Sequence, residues 1–326
     1  MWSDVSVDIS TFVPTGSPGF GHPLILASKA TAAVPYTECR QPEDVIAAGF
    51  NNETDVYKAA NLIFMQDDRP EKIAVCAVTG SAVEGLGELK ARPWRQLLVV
   101  LGDDDSTPAD VSAHIETTDN RVAFFTFESA ETIAVAPGAN RSVAFVYPGN
   151  KLAAAAVIGA SAGIPAGGLT YKNLILKGLD PVQNADVDAI HTAGGFTLLE
   201  KAGDIVTSEG KTPGGEFIDI VDSRDYLISE MVYRTQRVLN LNRKIPYTNS
   251  GIAQLEGVAV DVLRGAYVNG MIADSESGGP AYTVDYAPRS QTTTEDRAAR
   301  KYVGGRFSFE LAGAIHTVAI SGELVI

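Results

Sequence analysis

Residues 159–163 read Gly-Ala-Ser-Ala-Gly, a match to the G-x-S-x-G pattern in which a serine on a sharp strand-to-helix turn attacks an acyl group. That chemistry needs a strand ending at the first glycine and a helix starting at Ser161. Here the preceding Lys151–Ile158 is alanine-rich and reads as a helix, and Pro165 with Gly167-Gly168 stops any helix soon after. The context points to a glycine-rich turn with no chemistry in it, with an α/β hydrolase using Ser161 as the alternative. Ser208-Glu-Gly-Lys211 matches S-x-x-K but lies in a polar stretch before Pro213-Gly-Gly, and reads as a turn. His22, His114, His191 and His316 are dispersed and form no metal-ligand spacing. Asp103-Asp-Asp105 follows a strand and reads as a solvated turn leading into the next helix. No phosphate-binding glycine loop is present. The expectation is no catalytic residue, no cofactor and no metal.

Charge carries more information. The chain has 326 residues and a net charge of −14, which disfavours nucleic acid as a partner. Against that sign stand two basic clusters: Arg224, Arg234, Arg237, Arg243 and Lys244, then Arg297, Arg300 and Lys301. They read either as salt-bridged surface or as a positive patch for an acidic partner. The two cysteines, Cys39 and Cys76, fit buried small hydrophobes and not a disulfide framework. Met1-Trp-Ser-Asp-Val lacks the pattern of a secretory leader, and no apolar run reaches membrane-spanning length, so production in a cytoplasm is expected.

The elements that would position these residues are legible from periodicity. Ile73–Val78, Gln96–Leu101, Val122–Phe127 and Ser142–Tyr147 are apolar runs of strand length, alternating with helical segments. Residues 41–66 read as helical, as do Ala82–Ala91 and a segment opened by Thr107-Pro108. This βαβα order predicts a mostly parallel sheet covered by helices. Glu216–Val221 alternates like a strand, followed by a helix from Arg224 to Asn240 and a second over Ile252–Tyr267. Both ends alternate as strands with no evident local partner: Val5, Val7 and Ile9, cut off by Pro14–Gly19, and Ile315, Val318, Ile320, Leu324 and Ile326.

Short segments, in order, resemble the sheath proteins of contractile tails found in bacteriophages and phage-tail-like bacteriocins. They are Gly19-Phe-Gly21-His-Pro-Leu-Ile-Leu26, Ala59-Ala-Asn-Leu-Ile-Phe64, Gln66 with Pro70 and Ile73–Val78, and Ala160-Ser-Ala-Gly163-Ile-Pro-Ala-Gly167 with Leu174 and Gly178. Gly215-Glu-Phe-Ile-Asp219, Asp225-Tyr-Leu, Lys244-Ile-Pro-Tyr247 and Asn249-Ser-Gly251-Ile252 are the more telling set.

The resemblance implies a mixed α/β (α+β) subunit with two domains and extended terminal strand arms. An arm and hinge would cover 1–19, an outer α/β domain 20–165, a tube-proximal α+β domain 166–312, and a second arm 313–326. It implies that the arms are lent to neighbouring subunits by strand addition. Head-to-tail contacts that do not close would then build a helical assembly. The implied function is a structural subunit of a sheath of stacked, six-fold rings that contracts and drives an inner tube through a target envelope. Implied partners are other copies of the chain, the tube protein, a baseplate and a tail terminator. By the resemblance the basic residues at 234–244 or 297–301 would meet the tube. Another self-assembling tail or capsid component is the remaining alternative.

Overall fold

The computed structural model describes residues 21–102 and 105–319. Its elements run β1 (His22–Ala27), β2 (Val34–Cys39), α1 (Pro42–Ala47), α2 (Asp55–Phe64), β3 (Ile73–Ala77), α3 (Ala82–Glu88), β4 (Trp94–Val100), α4 (Pro108–Glu116), β5 (Val122–Phe127), β6 (Ser142–Val146) and α5 (Ala154–Ser161). The second half continues with α6 (Val187–Thr192), β7 (Leu198–Lys201), β8 (Asp204–Thr207), α7 (Ile218–Leu241), α8 (Asn249–Val268), β9 (Tyr282–Tyr286), α9 (Thr294–Ala298) and β10 (Gly305–Phe309).

The first six strands form one sheet in the order β2-β3-β1-β4-β5-β6, in which only β2 runs antiparallel to its neighbour. Its central strands are buried on both faces, which is why they appear in sequence as continuous apolar runs. Ile25, Val75, Leu98 and Phe124 face α2 and α5, while Leu24, Leu26, Leu97 and Phe125 face the α3 and α4 side. The Thr107-Pro108 signal is real: the Thr107 hydroxyl accepts from the Asp110 amide at 3.3 Å, closing a capping box.

The α5 helix packs on α2 at backbone distance. A Cβ at Gly159 would lie 2.6 Å from the Ile63 carbonyl oxygen, and one at Gly163 would lie 2.1 Å from that of Asp68. Close packing by small residues is therefore present, divided between the end of a helix and the turn that holds Gly163. Gly159, Ala160 and Ser161 are the last turn of a buried helix, and the chain bends only after them.

Residues 166–217 share the core of the parallel sheet. Tyr171, Leu176, Leu179, Phe196 and Leu198 join its apolar cluster, and Phe196 bridges to Phe145 in β6. The helical hairpin of α7 and α8 has a separate core of Leu227, Met231, Val258, Ala259, Val262 and Leu263. The two-stranded sheet β9–β10 lies against that hairpin through Tyr282, Val284, Tyr286, Phe307 and Phe309.

Two sequence expectations need correction. Glu216–Val221 is not a strand: α7 starts at Ile218, because Ile218, Val221 and Asp225 are buried at helical spacing against the body. Residues 41–66 form two short helices, α1 and α2, with a turn between them. Ile315 and Val318 are exposed, and among the described residues 313–319 pair with no strand. Val5, Val7, Ile9, Ile320, Leu324 and Ile326 lie outside the described residues.

His22 opens β1, an interior strand of the sheet, and is buried. Tyr36 Oη lies 2.7 Å from its Nε2. Burial, helped by Lys72, lowers its pKa to about 4. The unfolded chain holds a proton on His22 that the folded chain rejects, so stability should fall as pH drops from about 6.5 towards 4. Urea unfolding between pH 7 and 4 should show this slope, and His22→Gln should flatten it.

Candidate functional site

The elbow reading of Ser161 is not supported by its geometry. Its hydroxyl donates to the Val157 carbonyl at 2.8 Å and is buried inside the helix that carries it. Tyr171 is its other polar neighbour. Ser208 is likewise buried, held by His191 Nε2 at 2.9 Å and by the Thr197 amide at 3.0 Å. Among the described residues, no group of His, Cys, Asp or Glu could hold a metal ion, and no helix is long and apolar enough to cross a membrane.

What the structure does build is an ionic clasp between the sheet and α7. Arg95, at the start of β4, is fully buried. It donates to Asp225 at 2.9 Å, to Asn120 at 3.0 Å, and to Asp222. Arg141, just before β6, grips both oxygens of Asp225 at 2.7 and 2.9 Å. The Tyr171 hydroxyl donates to the second oxygen of Asp222 at 2.8 Å. Burial pushes the Asp225 carboxyl up, but Arg95 and Arg141 outweigh it and hold the pKa below the ordinary value. Two arginines from the body thus fix the first two turns of α7, a helix that contributes buried residues to both cores.

Beside the clasp runs a cleft of about 210 Å³, lined by Ser161 to Gly167 on one wall and by Asp219, Asp222 and Tyr226 on the other. Burial raises the pKa of Asp219, whose Oδ1 has no hydrogen-bond partner among the described residues.

The basic residues end up at the far tip of the hairpin. Arg234 is paired with Glu230 one turn away at 2.7 Å, and Arg237 donates to Tyr233 at 3.1 Å. Arg243 and Lys244 are exposed in the α7–α8 turn. Arg300 and Lys301 are exposed after α9, whereas Arg297 is partly buried and spends its guanidinium on the Thr292 carbonyl and the Thr294 hydroxyl at 3.0 Å. The two clusters meet through Tyr247, whose hydroxyl donates to the Lys301 carbonyl at 3.2 Å and whose ring packs edge-on against Tyr302. That convergence is invisible in sequence, where over 50 residues separate them.

The β9–β10 pair is the other open feature. Its alternate residues Thr283, Asp285, Arg306 and Ser308 face solvent, and among the described residues no third strand pairs with it. Neither strand carries a strong sequence signal: each has five residues, and Tyr282–Tyr286 sits between glycine- and proline-containing turns.

Comparison with known proteins points in one direction. Residues 218–324 match the family model described as E217 tail sheath protein gp31-like, C-terminal domain. No curated protein sequence matches the chain. The chain is similar to one in the contracted helical sheath of the anti-feeding prophage, with a TM-score of 0.72 at 12% identity over 99% of both chains. It is also similar to one in the contracted PVC sheath complex of an extracellular contractile injection system, with a TM-score of 0.70 at 11% identity over 99% of this chain and 98% of that one. A sheath tail protein from Desulfitobacterium hafniense gives a TM-score of 0.58 at 10% identity over 86% of this chain and 93% of its own. The fold is that of contractile-tail sheath proteins, and the segment holding α7, α8, β9 and β10 matches the sheath family model itself.

Proposed function

We propose that this chain is the subunit of a contractile tail sheath, in a phage tail or a phage-tail-like particle made in a bacterial cytoplasm. The observation that carries the reading is the family match over 218–324, because that segment contains both the open β9–β10 pair and the tail beyond it. Subunits would stack in rings, six-fold by the resemblance, around an inner tube. Contraction would drive that tube through a target envelope, with the energy coming from better subunit contacts in the short state. Baseplate and tail terminator would cap the ends.

The β9–β10 pair supplies what strand lending requires. Among the described residues no third strand pairs with its edges, which would take strands from neighbouring copies, Val5, Val7 and Ile9 on one side and the arm from Ile315 to Ile326 on the other. Left unpaired, such edges invite uncontrolled association, so a dedicated occupant is the economical explanation. Negative-stain microscopy tests this. Full-length protein should form hollow striated cylinders, and protein lacking 1–13 and 315–326 should form none. Soluble monomers from both would remove the sheath reading.

For the tube, we propose the hairpin tip as the contact. Of the seven candidates, Arg297 is partly buried, and Arg234 and Arg237 are exposed but engaged by Glu230 and Tyr233, which leaves Arg243, Lys244, Arg300 and Lys301 as the exposed set at the tip. Exposed charges of this kind act weakly and are screened by salt. Reversing Lys244 and Lys301 to Glu should abolish assembly on tubes at low salt while leaving the fold intact. Unchanged co-sedimentation with tubes would exclude the tip.

A further inference from the structure

The C-terminal segment is not simply a free tail. After β10 it pairs once more with the turn following α8, where the Ala312 amide donates to the Met271 carbonyl at 2.9 Å. It then crosses from the hairpin to the body over a cleft of about 260 Å³ lined by Asp219, Ile220, Ser223 and the segment itself. Ile315 is 84% exposed and Val318 is 71% exposed, yet the His316 side chain between them is only 14% exposed.

His316 sits in a formed socket. Its Nε2 lies 2.8 Å from the Thr170 hydroxyl, and its ring packs edge-on against Phe217 with centroids 5.1 Å apart. Its Nδ1 lies 3.6 Å from Glu209, which is held in turn by the Gly210 amide at 3.0 Å and by Lys172 at 3.7 Å. Lys211 covers the Phe217 ring at 4.7 Å. Among the described residues, 313–319 make no other hydrogen bond. One side chain therefore carries the attachment of the segment to the body.

We propose that His316 anchors the root of the C-terminal arm, so that the part lent to a neighbour begins beyond residue 316 and leaves the body in a fixed direction. A root left free at Ala312 would let the arm swing about Gly313, whose surroundings are open. A root pinned at 316 passes the rotation of one body to the next. The consequence for assembly rests on the sheath reading above, whereas the anchor itself does not.

The test uses full-length protein before assembly. Elastase cleaves beside small apolar residues, and Ala312, Ala314 and Val318 flank the anchor. Cleavage there tracks the fraction of time the strap is open. His316→Ala should be cut about tenfold faster, the factor for losing one hydrogen bond and one aromatic contact. His316→Gln, which can keep the bond to Thr170, should be cut more slowly than His316→Ala. If His316→Ala does not fold, Thr170→Val removes the same bond from the other side and should raise the rate in its place. An unchanged rate in the folded variant overturns the anchor. In microscopy, His316→Ala should give short or irregular cylinders, and cylinders of wild-type length and order would overturn its positioning role. Absence of cylinders from the wild type would instead remove the sheath reading, leaving the elastase result to stand alone.

Discussion

Asp225→Ala should lower the folding stability of the unassembled subunit by about 3–5 kcal/mol, the range for removing one partner from a buried ion pair. The size follows from what is left behind. Arg141 loses both of its carboxylate contacts, and the fully buried Arg95 loses one of its two carboxylates. The guanidinium groups cannot escape by releasing a proton, since arginine stays charged. Asp222→Ala should cost less, because its carboxyl is 15% exposed and water can replace it. Urea unfolding at pH 7 measures both. A loss below about 1 kcal/mol for Asp225→Ala, the range of a surface pair, would mean that water reaches the clasp.

The same contact fixes a pH limb. The folded pKa of Asp225 lies below its unfolded value, so its contribution is complete above about pH 4 and disappears as pH falls through the lowered value. Wild type and Asp225→Ala should therefore converge in acid. His22 acts at higher pH, between about 6.5 and 4, so the two groups separate on one titration.

The clasp also marks the boundary between what was legible in sequence and what was not. The parallel sheet was legible because strands buried on both faces, such as Ile73–Ala77, must be apolar throughout. The Thr107-Pro108 helix start was legible because a cap is local chemistry. Arg95 gave no signal: it opens an apolar strand, and its partner Asp225 lies 130 residues away. Nor did the start of α7, where Ile218, Ile220 and Val221 favour a strand locally and are overruled by packing of one helical face on the body. β2 was missed because Pro35 breaks its pattern, as is common on an edge strand. The resemblance to sheath proteins succeeded where periodicity failed, since the order of short motifs survives local ambiguity. Gly-Ala-Ser-Ala-Gly was half legible: Gly159, Ala160 and Ser161 end the buried α5 helix, while Gly163 lies in the turn after it and packs against the backbone of Asp68 and Arg69.

That motif gives the second large effect. Gly163→Leu should prevent stable folding of the subunit at 37 °C, and Gly163→Ala should already destabilise it by an amount in the upper part of the range of about 1–3 kcal/mol for overpacking. A Cβ at this position would meet backbone on two sides, 2.1 Å from the Asp68 carbonyl oxygen and 2.7 Å from that of Arg69. Backbone cannot rotate away as a flexible side chain can, so the α2–β3 connection or the end of α5 must shift. Ser161→Ala offers the contrast two residues earlier. Its hydroxyl donates to a carbonyl of its own helix and neighbours Tyr171, whose hydroxyl keeps Asp222 as a partner, so its loss should cost no more than about 1 kcal/mol. The two variants separate the readings of the motif. If the glycines matter through packing, thermal unfolding will rank Gly163→Leu far below Ser161→Ala, and assembly into cylinders will follow that rank. If Ser161→Ala proved the more damaging, with Gly163→Ala tolerated, the motif would have a chemical role that its position in a buried helix does not provide.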